Sequence, residues 1–524
     1  HPEINKTHTI QQAGDNKRIP EKISPDSSLL LLNIVKSNFD KHHEPDNIDF
    51  YYERNLPKAL SREGPKAAVG DVNGDGLPDV FVGGTIGHPG QVYLQTADGQ
   101  FVKKPEPAFD QFTDFEDEAV LLFDVDNDGD LDLFIGPGGN SNPPYSRQMQ
   151  FRLFKNDGKG NFTIDASAFQ PTSEGVNTAV AIAYDFNHDG YPDLFVGGRS
   201  VPREYGISPR SFLFVNDGKG HFTDIAKIKN PDIANIGMVT NAVWADVIGD
   251  TEKELIITGE WMAPRIFSFK TDRFVELKSN LNNLFGWWQT VAAADVNGDG
   301  KMDLILGNIG ENFYLHPDSA SPVKLWINDF DQNGVPDIVM TRTVQGKDMP
   351  VFLKHEMEDQ VPSIKKQNLK NEDFAKKSIQ DLFSSELLNK SLVKQFNYCS
   401  SIVAINEGNG QFSIQKLPQM LQLSSVNALL SSDINGDGNL DIIAGGNEFG
   451  FLPQFGRLDA SFGNVLVNDG KGHFKVLQPG QTGLELRGQI RDIAQIKGTN
   501  DSYILFLQND EYPVLYKINK TLKK

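Results

Sequence analysis

Six nine-residue stretches of this chain carry oxygen-bearing side chains at their first, third, fifth and ninth positions. They are Asp71, Asn73, Asp75 and Asp79; Asp124, Asp126, Asp128 and Asp132; Asp185, Asn187, Asp189 and Asp193; Asp295, Asn297, Asp299 and Asp303; Asp329, Asp331, Asn333 and Asp337; and Asp433, Asn435, Asp437 and Asp441. A glycine follows position 5 each time, and the position-7 carbonyl can turn inward. Carboxylates, amides and carbonyls at this density suit a hard cation, and calcium takes six to eight such oxygens. An EF-hand would need a bidentate Glu at position 12 and flanking helices. Here position 9 closes the loop and both flanks are apolar and β-branched, so the reading is a calcium loop between two strands, with five to six ions per chain. Two further copies have decayed. The stretch from Asp246 to Glu254 has Ile248 at position 3 and no glycine at position 6, and the one around Asp492 keeps only the rhythm, so neither is expected to hold an ion.

Each loop must sit between strands, and the rest of each repeat supplies them. An Ala- and Val-rich entry strand leads into the loop and an apolar exit strand leaves it. Two more strands are joined by hairpins such as Asn156 to Phe162, Asn216 to Phe222 and Asn468 to Phe474, with a looser copy from Asn406 to Phe412. Asp-Gly and Asn-Gly pairs between apolar runs are strong hairpin signals. Four antiparallel strands repeated every 50 to 60 residues describe β-propeller blades. Successive first aspartates lie 53, 61, 61 and 49 residues apart up to Asp295, then 34 to Asp329 and 104 to Asp433. The expected fold is therefore all-β, a seven-bladed propeller, or eight-bladed if Asp329 opens its own blade. Lys324 to Asp329 reads as the third strand of the fifth blade. Residues 1–45 are polar and read as a tether. The propeller spans 46–524 and is closed by both termini, with a strand near Phe50 completing the last blade. Residues 354–396, with a helix start at Asn371 and an apolar stripe through Phe374, Ile379, Leu382 and Phe383, read as a helical insertion.

Composition narrows the function. The formal charge of -20 argues against nucleic acid, whose phosphates require a basic surface. Six bound calcium ions would bring it to about -8, ordinary for a soluble surface. Cys399 stands alone, so no disulfide framework or thiolate metal site exists. No run is long enough for a membrane-spanning helix. The chain opens His1-Pro2 without Met, as expected of a processed product, and carboxylate-rich loops suit millimolar extracellular calcium. The expected location is exported, at the cell surface or outer membrane.

The loops and their flanks resemble FG-GAP/VCBS repeats, the units of integrin α-subunit propellers, from about residue 47 to the end. Gly237-Met-Val-Thr240, Gly259-Glu-Trp-Met262, Gly286-Trp-Trp288, Gly307 to Asn312, Leu60 to Pro65 and Gly456 to Ala460 are also similar to the bacterial ASPIC/UnbV group of exported VCBS proteins. That group is abundant in Bacteroidota and related to cartilage acidic protein. The resemblance implies a calcium-stabilised binding platform outside the cytoplasm, serving as a surface-exposed accessory subunit of an outer-membrane complex, with protein partners or a glycan.

Loops joining second to third strands lie on the face opposite the calcium loops. Their arginines and aromatics make a candidate partner surface: Arg199, Arg203, Tyr205, Trp261, Trp287, Trp288, Phe449 and Arg457. No His-x-x-x-His pair, nucleophile elbow or phosphate loop is present. The chain is thus read as no enzyme, the alternative being a polysaccharide lyase or hydrolase with its site on that opposite face.

Overall fold

A computed structural model of the chain describes residues 30–171 and 175–519. The apolar runs flanking each acidic loop are rich in Val, Ile, Phe and Ala and pair as antiparallel strands. Among the described residues eight antiparallel sheets result, seven of four strands and one of five, in which Gly286–Trp287 pairs beside Glu254–Met262. In sheets spanning 67–104, 117–164, 177–224, 238–276 and 426–476, strand order follows the chain. The fifth sheet pairs Thr290–Ala294, Asp303–Gly307, Ile402–Gly408 and Gln411–Lys416. Between its second and third strands lies a separate sheet of Lys347–Pro350, Asp337–Val344, Val323–Asn328 and Leu392–Phe396, in that order. The last sheet runs Leu32–Val35, Val514–Ile518, Ser502–Gln508, Ile490–Lys497.

The first strands of all but the inserted sheet pack against one another in succession, and Ile490–Lys497 returns to Ala67–Gly70. Apolar clusters fill the wedge between each neighbouring pair. Phe81 and Val92 meet Leu133 and Phe154 between the first two sheets; Val80 and Tyr93 meet Ile496 and Leu505 where the last returns to the first. This radial stacking is a β-propeller, and it places the acidic loops of the ring sheets at one end; the Asp329 loop belongs to the inserted sheet, which leaves the fifth sheet at the other end. Among the described residues no α-helix exceeds the seven residues of Lys354–Gln360, and none is long and apolar enough to cross a membrane.

Three expectations need correction. The strand completing the last sheet is Leu32–Val35, inside the segment expected to be a tether; Leu32 pairs with Ile518 and Val35 with Leu515. Leu31 and Leu32 are drawn in because they fill the wedge between the last two sheets. Residues 1–29 of that segment lie outside the described residues. The stretch near Phe50 is a 3-10 turn, Asp49–Tyr51, rather than a strand. Its cause is the buried Asp49 carboxylate, which accepts from Leu60 N, Ser61 N and Ser61 Oγ and winds the backbone inward. Finally, Val323–Asn328 is not the third strand of the fifth sheet; Leu304 pairs with Ala404 instead. The insertion has its own sheet, and the stretch 354–396 contains five short helices and then the strand Leu392–Phe396.

Because Leu32 is wholly buried and Ile34, two residues further along the same strand, is 70% exposed, the two should separate sharply in denaturant unfolding. Leu32→Ala is expected to cost about 2–4 kcal/mol, and Ile34→Ala less than about 0.5 kcal/mol.

Candidate functional site

The acidic loops fold on themselves in one way. The position-1 carboxylate accepts the backbone N–H of the glycine at position 6, from Gly76 to Asp71 at 2.7 Å and from Gly438 to Asp433 at 3.0 Å. Its other oxygen accepts from position 5, as in Asp75 to Asp71 at 3.2 Å. That wrap needs a left-handed residue at position 6. Gly76, Gly129, Gly190, Gly300, Gly334 and Gly438 supply it with φ of 84–94°. In the fourth sheet Thr251 holds φ 73° instead, a costly conformation for a β-branched residue.

Position 9 is buried and does different work. Asp79, Asp132, Asp193, Asp303 and Asp441 each accept the backbone N–H of a third-strand amide residue: Gln95, Asn156, Asn216, Asn406 and Asn468, at 2.7–3.0 Å. Those amide side chains then reach the preceding sheet. Asn156 donates to Val72 O, Asn216 to Val125 O, Asn406 to Val247 O and Asn468 to Val296 O, at 2.7–2.9 Å; Gln95 donates to Lys497 O at 3.1 Å. The sequence reading saw these asparagines as hairpin residues and missed the stitch between sheets.

The donor set is all oxygen, which fits a hard cation. Carboxylate oxygens of Asp124, Asp126 and Asp128, and of Asp329, Asp331 and Asp337, converge within 4.8 Å. Burial pushes the position-9 acids up, Asp79, Asp337 and Asp441 to about 6 and Asp193 to about 7; a bound cation would hold them ionised. The loops are not equivalent. In the second, Lys155 Nζ lies 2.6 Å from Asp126 and 2.9 Å from Asp132, where the sister sheets have Leu94, Val215, Ile405 and Val467. Asp126 Oδ1 beside it is buried with no partner.

On the opposite face the expected partner residues divide. Trp287, Trp288, Trp261, Tyr205 and Arg199 are all buried, at most 3% exposed, so they cannot meet a partner. The insertion covers them. Trp287 stacks on Phe396 at 5.5 Å and meets Trp261 edge-on at 5.2 Å. Trp261 Nε1 donates to Tyr205 Oη at 2.7 Å, and Trp288 stacks on Tyr398. Arg203 and Arg457 stay exposed, stacked over Tyr52 and Phe449 at 4.9 and 4.7 Å.

Arg199 belongs to a buried ionic lattice that sequence reasoning missed. Lys58, fully buried, lies 3.1–3.2 Å from Glu63, Glu260 and Glu448. Arg199 adds contacts to Glu63 and Glu260, and Arg491 to Glu63 and Glu448. Burial would raise the Glu260 carboxyl, but Arg199 and Lys58 overcome it and hold it at about 2. The available signal was a charge inside an otherwise buried apolar run, as in Glu254–Met262. These convergent charges neutralise one another rather than standing open to a substrate.

Comparison with known proteins follows this geometry. Residues 71–135, 124–196 and 246–306 match the FG-GAP-like repeat family. Phosphatidylinositol-glycan-specific phospholipase D of Homo sapiens is 31% identical over 160 residues, 28% of this chain. The Bos taurus protein is 30% identical over the same length. The match spans 18% of each relative. Among solved structures, an Agrocybe aegerita lectin recognising non-reducing terminal N-acetylglucosamine superposes with TM-score 0.45 and 15% identity, over 88% of this chain and 86% of its own. The V. cholerae biofilm matrix protein Bap1 gives 0.35 and 10%, over 92% and 91%. The Dos1 propeller gives 0.38 and 10%, over 94% and 97%. The ring of sheets makes the chain a β-propeller, and the FG-GAP-like repeats are matched within residues 71–196 and 246–306.

Two substitutions test the site's construction in denaturant unfolding. Asn216→Ala removes a buried side chain that ties two sheets and should cost about 2–3 kcal/mol. Lys58→Met leaves three buried carboxylates sharing only Arg199 and Arg491 and should cost about 3–5 kcal/mol. Tyr145→Ala, at a 70% exposed position, should stay within about 0.5 kcal/mol.

Proposed function

We propose that this protein is a seven-bladed, calcium-stabilised propeller acting outside the cytoplasm as an interaction platform. The observation that carries the reading is the repeated loop: an all-oxygen cage whose ninth residue also anchors the bond between neighbouring sheets. An ion at positions 1, 3, 5 and 9 would neutralise clustered carboxylates and brace that anchor, supporting the ring rather than performing chemistry. The loops at Asp71, Asp124, Asp185, Asp295, Asp329 and Asp433 are the proposed sites. The Asp246 loop, with Ile248 in place of an oxygen, and the Asp492 region are left without one. The inserted sheet is read as an elaboration of the fifth blade, since its strands stand outside the succession of first strands.

The exported, surface-associated setting and an accessory role beside an outer-membrane complex, of the ASPIC/UnbV kind, complete the proposal. Partner contact is assigned to the face opposite the loops, where Arg203 with Tyr52, Arg457 with Phe449 and the exposed Tyr51 and Tyr145 remain available. Arginine-backed aromatics suit a protein partner or a glycan. Capture from native outer membrane with wild type and with Arg203→Ala plus Tyr52→Ala tests this. Loss of capture with unchanged melting supports the surface, and full retention rejects it.

Calcium binding restricted to the native state adds RT ln(1 + [L]/Kd), about 2.7 kcal/mol per site at a hundredfold excess. Excess chelator should therefore lower Tm steeply, and an unchanged melt would reject the metal reading. Lys155→Val, by removing the ammonium competing at the second loop, is expected to tighten that loop about tenfold or more, visible in chelator-competition titration.

A further inference from the structure

Five sheets share one irregularity. Pairing between first and second strands skips a single residue near the strand start: Glu118, Ala179, Thr240, Asn427 and Arg491. A bulge of this kind re-aims one side chain. All five line one cavity, together with Glu63, Lys66, Arg199 and Gln289. Its residues come from the starts of the ring's innermost strands, so it lies on the axis, against the ionic lattice around Lys58. The cavity measures about 30 Å³, room for one or two water-sized groups.

The wall is unfinished as a hydrogen-bonding surface. Arg199 Nη1, on a side chain that is 3% exposed, has no partner, and neither has Asn427 Oδ1. A buried guanidinium N–H without an acceptor is costly. Lys66 Nζ spends one donor on Arg491 O at 2.7 Å. The charges also leave a remainder. Lys58, Arg199 and Arg491 are matched one for one by Glu63, Glu260 and Glu448. Lys66 then faces Glu118. Burial pushes the Glu118 carboxyl to about 8 despite Lys66 and Arg491, with Glu63 and Glu44 adding to the rise. At neutral pH that carboxyl is protonated, and within the lattice and the cavity lining one positive charge is uncompensated.

We propose that this axial cavity binds one small monovalent anion, of chloride or formate size, held between Arg199 Nη1 and Lys66. One negative charge completes the balance, whereas a divalent anion would overshoot it and exceed the space. The site stands apart from the acidic loops and from the partner face, and needs neither reading to hold.

The test uses the full chain, with calcium supplied as gluconate at fixed concentration. A crystal soaked in bromide should show an anomalous peak in the cavity within about 3.5 Å of Arg199 Nη1. At constant ionic strength, exchanging gluconate, which is too large to enter, for chloride or formate should raise Tm along a saturating curve. Lys66→Gln, at a half-buried position that leaves the lattice intact, should weaken the apparent affinity about tenfold or more. Glu118→Gln separates the charge argument from mere folding. Wild-type affinity should fall about tenfold from pH 7 to pH 9 as Glu118 ionises, and the variant's should stay level. A cavity holding only water after the bromide soak, a Tm that tracks ionic strength whatever the anion, or the same pH profile in wild type and Glu118→Gln would each overturn the proposal.

Discussion

The ring depends on one relay: a buried carboxylate at the end of each acidic loop, an amide on the third strand, and a carbonyl in the sheet before it. Asp193 accepts from Asn216 N, and the Asn216 side chain donates to both Pro192 O and Val125 O. The carboxylates and side-chain amides of the relay are on buried residues, so leaving one unpaired costs more than pairing it contributes. The relay therefore acts as a constraint on sequence as much as a source of stability. It explains why the loop and the hairpin recur together, 16 to 27 residues apart in four sheets and 103 apart in the fifth, where the insertion intervenes. It also gives the proposed ions a structural purpose, since whatever fixes the ninth carboxylate fixes the neighbouring sheet.

Where the relay is interrupted, packing takes over. The fourth sheet has Glu254 in place of the aspartate and Phe269 in place of the asparagine, and Glu254 still accepts from Val247 N. No amide reaches back to the third sheet from there. The boundary is filled by Phe186, Trp244, Phe269 and Phe274, with ring centroids 5.0–6.2 Å apart. Thr251 adopts the conformation its glycine counterparts adopt freely, a strain the surrounding sheet must support. A boundary held by rings tolerates loss of a metal ligand, because its strength comes from apolar area and aromatic contact.

The repeat was legible because both its periods are local: position 6 glycines, alternating strands, hairpin dipeptides. Long-range facts were not. Leu31 and Leu32 looked like part of a polar tether, since nothing nearby shows that a wedge lies open at the far end of the chain. Val323–Asn328 imitates a third strand closely, yet loses that place to Ile402–Gly408, which brings the relay residue Asn406 that binds Asp303 and Val247. The tryptophans misled in the same way. Strand-end position suggested a surface, but the insertion supplies Phe396, Phe313 and Tyr398 to cover it. The charged lattice drew its members from five distant segments, so only the oddity of Glu260 within a buried strand hinted at it.

The two ends of the ring thus obey different rules. At the loop end, side chains are committed to one another and to the relay, and substitution there disturbs the ring itself. At the other end, the segment carrying Lys58 crosses the axis and the insertion packs over it, with Leu56 and Leu60 joining Phe313, Phe352 and Met357 in one apolar cluster. That cover absorbs the apolar residues and leaves cation–aromatic pairs outside: Arg203 over Tyr52, Arg457 over Phe449, Arg487 over Phe462. These pairs sit on loops whose length differs from sheet to sheet, so they can change without disturbing the relay. The surface can therefore vary at this end while the opposite end keeps the ring closed.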